Sequence, residues 1–405
     1  MSYNSRRSFG GRNQRLYNNS RPQRQVNRGR SSGRSKQTIN PALFVNKTVA
    51  NVTPEVYVPL HRFNDFALHD ILKQNIAAAG FEVPTAIQDL TLPLGLEDKD
   101  VIGLANTGTG KTVAFLLPIL NKLYTRRTTE SVLIMAPTRE LAQQIDAEFK
   151  KFSTDMKVYS AVCVGGVNIN GQIRQIQRHP HVIIGTPGRL KDLMKQGILH
   201  LDSITTLVLD EADRMLDMGF INDIRAIVQQ IPADRQTVCF SATMSPGITS
   251  IVHDFMRQPE VVSVKQTETS DHIYQDVVSF HDDEHKKELL IEMLQQDEFR
   301  KVIVFSETKY GVQRLSDRLE ANGITARAIH GNKSQSQRNR ALASFTSDEA
   351  RVLVATDVAA RGLDIPNVSH VINFDQPQTY EDYTHRIGRT GRGGKSGTAL
   401  TFVKS

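Results

Sequence analysis

The chain has 405 residues, of which 39% are hydrophobic, and a formal net charge of +7 at pH 7. That length suggests two or three domains, and this share of apolar residues excludes wholesale disorder. No apolar run approaches the roughly 20 residues that span a bilayer, and the N-terminus has no apolar core of the secretory-signal type. The two cysteines, Cys163 and Cys239, lie in separate apolar stretches, so neither a disulfide framework nor a structural zinc site is expected. A reducing, cytoplasmic setting is therefore predicted.

Positive charge is concentrated at the start of the chain. Residues 1–40 contain nine Arg, one Lys and no acidic residue, a charge of +10 that leaves −3 for the rest. Because few apolar side chains offset the entropy of ordering, residues 1–59 are predicted to form a disordered, basic Arg/Gly/Ser/Asn-rich tail. Arginines interspersed with Tyr3, Phe9 and Tyr17 favour sequence-tolerant contact with nucleic acid; the alternative is a solubilising tail without a specific partner.

Beyond the tail, the sequence predicts two α/β domains. Leu68, Ile71, Leu72 and Ile76 recur at helical spacing and indicate a first helix that ends near Gly80. Short apolar runs then alternate with helical patterns, which is typical of parallel sheets buried on both faces. We therefore predict one domain over 60–264, a polar linker over 265–275 and a second domain over 276–405. The runs lie at 132–135, 162–164, 182–184, 207–209 and 238–240, and then at 302–305, 351–354, 371–374 and 398–402.

A glycine-rich loop follows the apolar run at 101–104 and precedes a helical pattern. Glycines in such a loop let backbone N–H groups surround phosphate oxygens at a helix N-terminus. Lys111 can then reach the β- and γ-phosphates, and the Thr112 hydroxyl can ligate Mg²⁺. Ala105 stands where the usual pattern has its first glycine, and the alternative is a turn that binds nothing. The predicted nucleotide-binding residues of the loop are Ala105, Asn106, Thr107, Gly108, Thr109, Gly110, Lys111 and Thr112.

Carboxylates follow another apolar run of the first domain. The run at 206–209 ends in Asp210-Glu211-Ala212-Asp213. Because ligands of open parallel sheets bind at the carboxyl ends of the strands, we expect these acids beside the phosphate loop. There they can anchor Mg²⁺ and polarise an attacking water. The loop and the acids together predict nucleotide hydrolysis.

With these motifs in this order, the chain over residues 61–405 resembles the DEAD-box RNA helicases of superfamily 2, in which alanine at the first loop position is usual. The resemblance implies two RecA-like parallel-sheet domains in tandem, with ATP as substrate, Mg²⁺ as cofactor and RNA as partner. The resemblance also implies that the chain acts as an ATP-dependent RNA helicase. RNA-stimulated ATP hydrolysis would be coupled to closure of the two domains on single-stranded RNA, to unwinding of short duplexes and to remodelling of RNA–protein complexes.

The resemblance assigns roles around the nucleotide. Gln88 is implied to hydrogen-bond the adenine edge and Phe81 to pack on its face, with Phe63 as the isolated upstream aromatic. Glu211 is implied to activate the attacking water, and Asp364 to reach the ribose. The remaining implied contacts are Asp210 and Thr112 to Mg²⁺, partly through water, and Lys111, Arg389 and Arg392 to the transferring γ-phosphoryl group.

A second set of implied roles concerns coupling and RNA. The implied coupling residues are Asp213, Ser241, Thr243 and His385. The implied RNA contacts are Pro137, Thr138, Arg139, Gly165, Gly166, Thr186, Gly188, Arg189, Gly331, Arg338 and Thr356. These residue types contact phosphate and sugar and not base edges, so binding by the core is expected to be independent of RNA sequence.

Two other functions are compatible with part of this pattern. A DNA-acting superfamily 2 ATPase would share the phosphate loop, although the resemblance favours RNA, whose 2′-OH a protein can sense. An altered Lys111, Glu211 or Arg392 would indicate a non-enzymatic RNA clamp or scaffold; none is altered, and ATP turnover with and without RNA distinguishes this alternative. A monomer without membrane contact is expected, and the sequence names no protein partner.

Overall fold

The computed structural model describes residues 40–46, 57–106, 108–126, 131–264, 273–360, 365–391 and 396–405. Several predictions lie outside the described residues: those for 1–39, 47–56 and 265–272, and the roles of Thr107, Asp364 and Arg392. Within the described ranges, no helix is long and apolar enough to cross a membrane.

The first domain is built on a parallel sheet. Its strands, taken over the described residues, are β1 (Val101–Leu104), β2 (Ser131–Met135), β3 (Ser160–Cys163), β4 (Val182–Gly185), β5 (Ile204–Leu209), β6 (Gln236–Ser241) and β7 (Glu260–Ser263). Across the sheet their order is β3-β4-β2-β5-β6-β1-β7, and every neighbouring pair runs parallel. The apolar runs of the sequence therefore correspond to strands buried on both faces, as parallel sheets require.

Helices cover both faces of this sheet. They are α1 (Asp70–Ala78), α2 (Ala86–Leu96), α3 (Lys111–Arg126), α4 (Arg139–Phe152), α5 (Ile169–Ile176), α6 (Pro187–Lys195), α7 (Ala212–Asp217), α8 (Ile221–Val228) and α9 (Pro246–Phe255). Successive residues of a strand point to opposite faces, so Val101 and Ile102 belong to different apolar clusters. Local capping sets the helix starts: the Thr138 hydroxyl accepts a hydrogen bond from Leu141 N at the start of α4.

The second domain repeats this architecture. Its strands are β8 (Ile273–Phe280), β9 (Val302–Phe305), β10 (Ala326–Ile329), β11 (Val352–Ala355), β12 (His370–Asn373) and β13 (Gly397–Lys404), in the spatial order β10-β11-β9-β12-β13-β8 and all parallel. Its helices are α10 (Asp283–Gln295), α11 (Lys309–Ala321), α12 (Gln335–Thr346), α13 (Asp357–Ala360) and α14 (Tyr380–Ile387). Three apolar clusters lie against this sheet, one containing Val304, one Ile303 and one Ile273. The predicted pair of parallel-sheet α/β domains is confirmed.

Two boundaries differ from the sequence prediction. Residues 40–46 were expected to belong to a disordered tail, but Pro41–Phe44 form a 3₁₀ helix and Phe44 is fully buried against the second domain. Residues 41–45 form a short apolar run within an otherwise polar segment, and burial of Phe44 offsets the entropy of ordering them. Strand β8 begins at Ile273, inside the segment expected to be a linker, because it pairs with β13 along its whole length.

Candidate nucleotide and RNA site

The predicted nucleotide motifs meet at one edge of the first sheet. Strands β5, β6 and β1 are neighbours, so their carboxyl ends lie side by side. The phosphate loop follows β1, the acidic motif follows β5, and Ser241 ends β6. Ala105 N donates to the Ser241 carbonyl at 3.0 Å, which fixes the start of the loop to the end of the neighbouring strand.

The loop between β1 and α3 has the backbone that a phosphate-binding loop needs. Gly108 and Gly110 have φ values of +80° and +90°, which L side chains rarely adopt. Lys111 is buried, and its Nζ donates to the Ala105 carbonyl at 2.9 Å. Helix α3 begins at Lys111, so the positive end of its dipole faces the loop. The loop thus offers a lysine and a helix N-terminus to an anion.

Gln88 connects helix α2 to this loop. Its Oε1 accepts from Thr85 N at 3.0 Å, and its Nε2 donates to the Gly110 carbonyl at 3.0 Å. A Cβ atom at position 110 would lie 2.3 Å from Gln88 Nε2, so this contact requires glycine there. The structure places Gln88 at the phosphate loop, and its contact with adenine stays a prediction.

Phe81 lies close to the same helix and is half-buried. Its ring lies edge-on to those of Phe63 and Phe152, at centroid distances of 6.2 and 5.5 Å. The Nζ of Lys151 lies 5.0 Å from the Phe81 centroid. The ring is therefore held in a fixed orientation, and packing on a base remains a prediction.

Asp89, the residue after Gln88, makes contacts that were not predicted from the sequence. Its carboxylate accepts from the Tyr57 hydroxyl at 2.7 Å and from Leu60 N at 2.6 Å, and lies 2.7 Å from His61 Nδ1. Burial acts to raise the pKa of Asp89, but these hydrogen bonds hold it below its usual value. The carboxylate thereby fixes the segment before the first helix to α2, beside Gln88.

The acidic motif is buried at the end of β5. Burial raises the pKa of Asp210 to about 7, while the nearby Lys111 ammonium acts to lower it. Glu211 has left-handed backbone angles of φ 49° and ψ 55°, which are costly for an L side chain. Its Oε2 is buried and has no hydrogen-bond partner among the described residues. A buried carboxylate oxygen with unused lone pairs fits a group that takes a proton from a bound water.

The residues present fit a magnesium ion held between the protein and a triphosphate. Mg²⁺ prefers oxygen ligands and is usually bound by one or two carboxylates together with substrate phosphates. Asp210 offers such a carboxylate, and Thr112, in the first turn of α3, offers a hydroxyl. Burial raises the pKa of Asp210, and a cation beside it would stabilise the ionised form.

Asp213 joins the acidic motif to the end of β6. Its Oδ2 accepts from Ala242 N at 2.8 Å and from Thr243 N at 3.2 Å. The Ser241 hydroxyl donates to the Thr243 carbonyl at 2.8 Å. Because Ser241 also bonds Ala105, one continuous set of hydrogen bonds links the acids, the β6 end and the phosphate loop.

The predicted RNA contacts gather around a cavity of about 680 Å³. This groove is lined by all of them except Gly166 and Thr356: Pro137, Thr138, Arg139, Gly165, Thr186, Gly188, Arg189, Gly331 and Arg338. They follow strands β2, β3, β4 and β10, and α12 contributes Arg338, so both domains contribute. Lys191 and Lys195 also line the groove and were not predicted. Thr356 is buried at the end of β11.

Arg139 is the centre of positive charge in this groove. Partial burial first, and then the charges of Arg338 and Arg189, lower the pKa of Arg139. Its guanidinium lies over Gly165 and Gly166, since a Cβ atom at position 166 would be 1.9 Å from Arg139 Nη1. Arginines from both domains thus come together where a phosphate backbone could be bound.

Glu140 is one of three acidic residues that line the groove, with Asp192 and Asp223, and its contacts were not predicted from the sequence. Its Oε1 lies 2.8 Å from Arg338 Nε and accepts from Gln335 Nε2 at 3.2 Å. Glu140 lies in the first turn of α4 of the first domain, whereas Gln335 and Arg338 lie on α12 of the second. The structure therefore pairs the predicted RNA contact Arg338 with a carboxylate across the two domains.

Helix α14 contains Arg386, and the predicted arginine Arg389 follows its C-terminal end. Arg386 forms a two-pronged ion pair with Asp357, at 2.5 and 2.7 Å, and is 3% exposed. Arg389 is also buried, and its Nε donates to the His385 carbonyl at 3.3 Å. The bidentate Arg386–Asp357 pair was not predicted and fixes α14 to the end of β11.

Two family models match the chain. The DEAD/DEAH box helicase model matches residues 85–251, and the helicase conserved C-terminal domain model matches residues 285–394. These ranges contain the phosphate loop, the acidic motif and the arginine-bearing helix of the second domain. The matches therefore cover both sheets and most of the predicted site.

Relatives and solved structures agree with these matches. The ATP-dependent RNA helicase CshA of Listeria monocytogenes is 47% identical over 85% of this chain, which spans 66% of that relative. The DEAD-box ATP-dependent RNA helicase CshA of Geobacillus kaustophilus is 47% identical over 84% of this chain and 73% of its own length.

Among solved structures, S. cerevisiae Dbp5 bound to RNA and ADP BeF3 is 32% identical, with a TM-score of 0.75 over 85% of this chain and 89% of Dbp5. The DEAD-box helicase Mss116 bound to ssRNA and UDP-BeF is 30% identical, with a TM-score of 0.78 over 86% of this chain and 77% of Mss116. These likenesses confirm the RecA-like form of both domains. The chain belongs to the DEAD-box family of ATP-dependent RNA helicases.

Proposed function

We propose that the chain couples RNA-stimulated ATP hydrolysis to closure of its two domains on single-stranded RNA, with local separation of short duplexes. The observation that carries this proposal is that Lys111 follows β1 and that Asp210 and Glu211 follow β5, on either side of β6, in the same chain as buried Arg389. The phosphate-binding groups and the proposed base belong to the first domain, and Arg389 belongs to the second. Hydrolysis therefore requires both domains.

In the proposed reaction, Lys111 and the N-terminus of α3 hold the β- and γ-phosphates. Glu211 accepts a proton from the attacking water, and Arg389 stabilises negative charge on the γ-phosphoryl group; such arginines contribute about 10³–10⁵ in rate. A magnesium ion held by Asp210 and Thr112 would neutralise phosphate charge when bound. Arg392 and Asp364 are proposed to add a second guanidinium and a ribose contact. Gln88 and Phe81 are proposed to select adenine.

RNA is the proposed polynucleotide. The groove offers arginines, lysines, backbone amides and helix N-termini, which suit phosphate and sugar contacts and not base edges. The names of the Dbp5 and Mss116 structures state that those proteins were bound to RNA. RNA that spans both domains favours the arrangement in which Arg389 reaches the nucleotide. By reciprocity, ATP then tightens RNA binding.

The test is ATP turnover by the full chain with and without RNA. Wild type should be stimulated by single-stranded RNA and far less by single-stranded DNA of the same sequence. Lys111→Ala should abolish ATP binding, and Glu211→Gln should bind ATP and RNA together but turn over at least about a hundredfold more slowly. Equal stimulation by DNA would favour the DNA-acting alternative. Full turnover by Glu211→Gln would overturn the assignment of the base.

Two further assignments follow from composition. The charge of +10 in residues 1–40 supports a role of this segment in holding RNA by phosphate contacts. Deletion of residues 1–39 should lower the salt dependence of RNA affinity; an unchanged slope would leave the segment without this role.

The buried free thiols of Cys163 and Cys239 support a reducing, cytoplasmic setting. Fluorescence microscopy of the tagged chain in its own cells would test that setting.

A further inference from the structure

The segment at residues 40–46 packs on the second domain, although it precedes the first domain in sequence. The Asn40 side chain accepts from Ala42 N at 3.0 Å and begins the 3₁₀ helix Pro41–Phe44. Phe44 is 0% exposed, whereas its neighbours Leu43 and Val45 are 52% and 40% exposed. One ring of the segment is therefore buried, and the flanking side chains face solvent.

The cluster that receives Phe44 includes two residues of helix α14. Phe44 packs with Tyr383 and Ile387 of α14, with Ile273 of β8 and with Ala399 of β13. The rings of Phe44 and Tyr383 have a centroid distance of 4.8 Å and an interplanar angle of 50°. Phe44 therefore fills the space between helix α14 and the outer strands of the second sheet.

A hydrogen-bond link supports the same contact. Asn46 and Gln275 exchange two backbone hydrogen bonds, at 2.9 and 3.0 Å, on the outer edge of β8. The Gln275 side chain is buried, and its Oε1 accepts from the Tyr383 hydroxyl at 2.8 Å. Burial raises the pKa of Tyr383, so its hydroxyl keeps its proton and donates. The segment thus reaches α14 through apolar packing and through Gln275.

Helix α14 also carries Arg386, and Arg389 follows its C-terminal end. Arg386 pairs with Asp357, and Arg389 N donates to the Arg386 carbonyl at 3.1 Å directly after the helix. Helix α14 is therefore held by two attachments, Phe44 at Tyr383 and Ile387, and Asp357 at Arg386. If the Phe44 attachment is lost, Tyr383 and Ile387 can move into the space it leaves, and the helix can shift with them.

We propose that Phe44 is a positioning residue for Arg389, because it sets the placement of helix α14 on the second sheet. This inference rests on the proposed role of Arg389 in ATP hydrolysis. A guanidinium that stabilises the transition state must be held within a fraction of an ångström, so a small shift of α14 lowers the rate more than it lowers ATP binding. The segment before the first domain would thus contribute to catalysis through the second domain.

The test compares Phe44→Ala, Phe44→Leu, the exposed neighbour control Leu43→Ala, and Arg389→Ala in the full chain. Each is assayed for kcat and for the KM of ATP at saturating RNA, well below its own unfolding temperature. We expect Phe44→Ala to lower kcat about tenfold, with the KM of ATP within about twofold of wild type, as for loss of a transition-state contact. Phe44→Leu, which keeps most of the apolar volume, should retain most of kcat, and Leu43→Ala should match wild type.

The outcomes separate a positioning role from simple stabilisation. A fall in kcat smaller than about threefold in Phe44→Ala, or an equal fall in Leu43→Ala, overturns the inference. If Phe44→Ala does not fold, Phe44→Tyr is the test, because its added hydroxyl disturbs the same cluster. A kcat within about twofold of wild type would then overturn the inference, and a larger fall would support it. Full kcat in Arg389→Ala would remove the proposed function of Arg389 itself. If Arg389→Ala is inactive and Phe44→Ala keeps the kcat of wild type, only the role of Phe44 is overturned.

Discussion

The carboxylate of Glu140 and the guanidinium of Arg338 lie 2.8 Å apart and join the first domain to the second. Both side chains are largely buried, at 4% and 10% exposed. Removing one member of such a pair leaves the other charge buried without compensation. The pair therefore stabilises the arrangement in which α4 and α12 meet, and it holds Arg338 beside the RNA groove.

A double-mutant cycle measures this link. Glu140→Ala and Arg338→Ala should each lower the RNA-stimulated kcat at saturating RNA, and the double variant should be no slower than Arg338→Ala. The coupling energy should be about 1–3 kcal/mol, as for residues in contact. Saturating RNA separates this effect from lost RNA affinity. Strictly additive effects would show that the two side chains act independently.

Replacing Gly166 should weaken RNA binding through Arg139. A Cβ atom at position 166 would lie 1.9 Å from Arg139 Nη1, and Gly166 has a φ of +73°. We expect Gly166→Ala to raise the RNA concentration for half-maximal ATPase about tenfold, a loss of about 1.4 kcal/mol. Gly171→Ala is the matched control, because no atom lies within 4 Å of its added Cβ. Equal half-saturation in the two variants would contradict the placement of Arg139.

Asp213→Ala should uncouple strand separation from ATP turnover. The change removes the acceptor of Ala242 N and Thr243 N and so breaks the link between the acids and the β6 end. A hydrogen bond to a charged group contributes about 1.5–3 kcal/mol, so the melting temperature should also fall. Duplex separation per ATP hydrolysed should drop about tenfold, whereas Asp217→Ala, at the exposed end of the same helix, should leave the ratio unchanged. A parallel loss of both activities would argue for damage to the ATP site alone.

Asp375 should give the second domain a pH-dependent stability. Its carboxylate accepts from Lys286 Nζ at 2.8 Å, the Ser306 hydroxyl at 2.7 Å and Glu307 N at 2.9 Å. Burial alone would raise the pKa of Asp375, but the Lys286 charge and these hydrogen bonds hold it below its usual value. A depressed folded-state pKa contributes stability that is present above the unfolded value of about 4 and is lost as the pH falls through the folded value.

We therefore expect Asp375→Asn to lower the free energy of unfolding at pH 7 by about 1–3 kcal/mol. The difference from wild type should shrink as the pH falls below about 4. Denaturant unfolding at several pH values measures it. Asp234→Asn, at a 99% exposed side chain, is the control and should change little at any pH. A difference that persists at low pH would show that the carboxylate charge is not its source.

The sequence was sufficient for the strands and for the nucleotide motifs, because both depend on local patterns. Apolar runs predicted the strands, and the glycine-rich loop and the acids each follow the end of a strand. Since parallel strands bring their carboxyl ends to one edge, motifs far apart in sequence could be expected to meet. The roles assigned to Thr107, Asp364 and Arg392 stay predictions.

Contacts that depend on tertiary packing could not be predicted from local sequence patterns. Gln335 and Glu140 are 195 positions apart, and no local pattern indicates that they meet. Phe44 stands in a short apolar run at 41–45 that does not indicate a partner, and its burial depends on a cluster formed by residues of the second domain. The Arg386–Asp357 pair could not be predicted either, because the sequence does not distinguish Arg386 from the other basic residues of its motif.

The left-handed backbone of Glu211 makes thermal stability and ATP hydrolysis conflicting demands on this residue. Glutamate at φ 49° costs about 1–2 kcal/mol that asparagine or glycine would largely avoid, and its buried carboxylate adds to the cost. Glu211→Asn should therefore unfold at a higher temperature than wild type in a thermal melt while hydrolysing almost no ATP. A lineage adapting to heat would have to gain its stability elsewhere in the protein, since the easiest improvement at this residue would silence the enzyme.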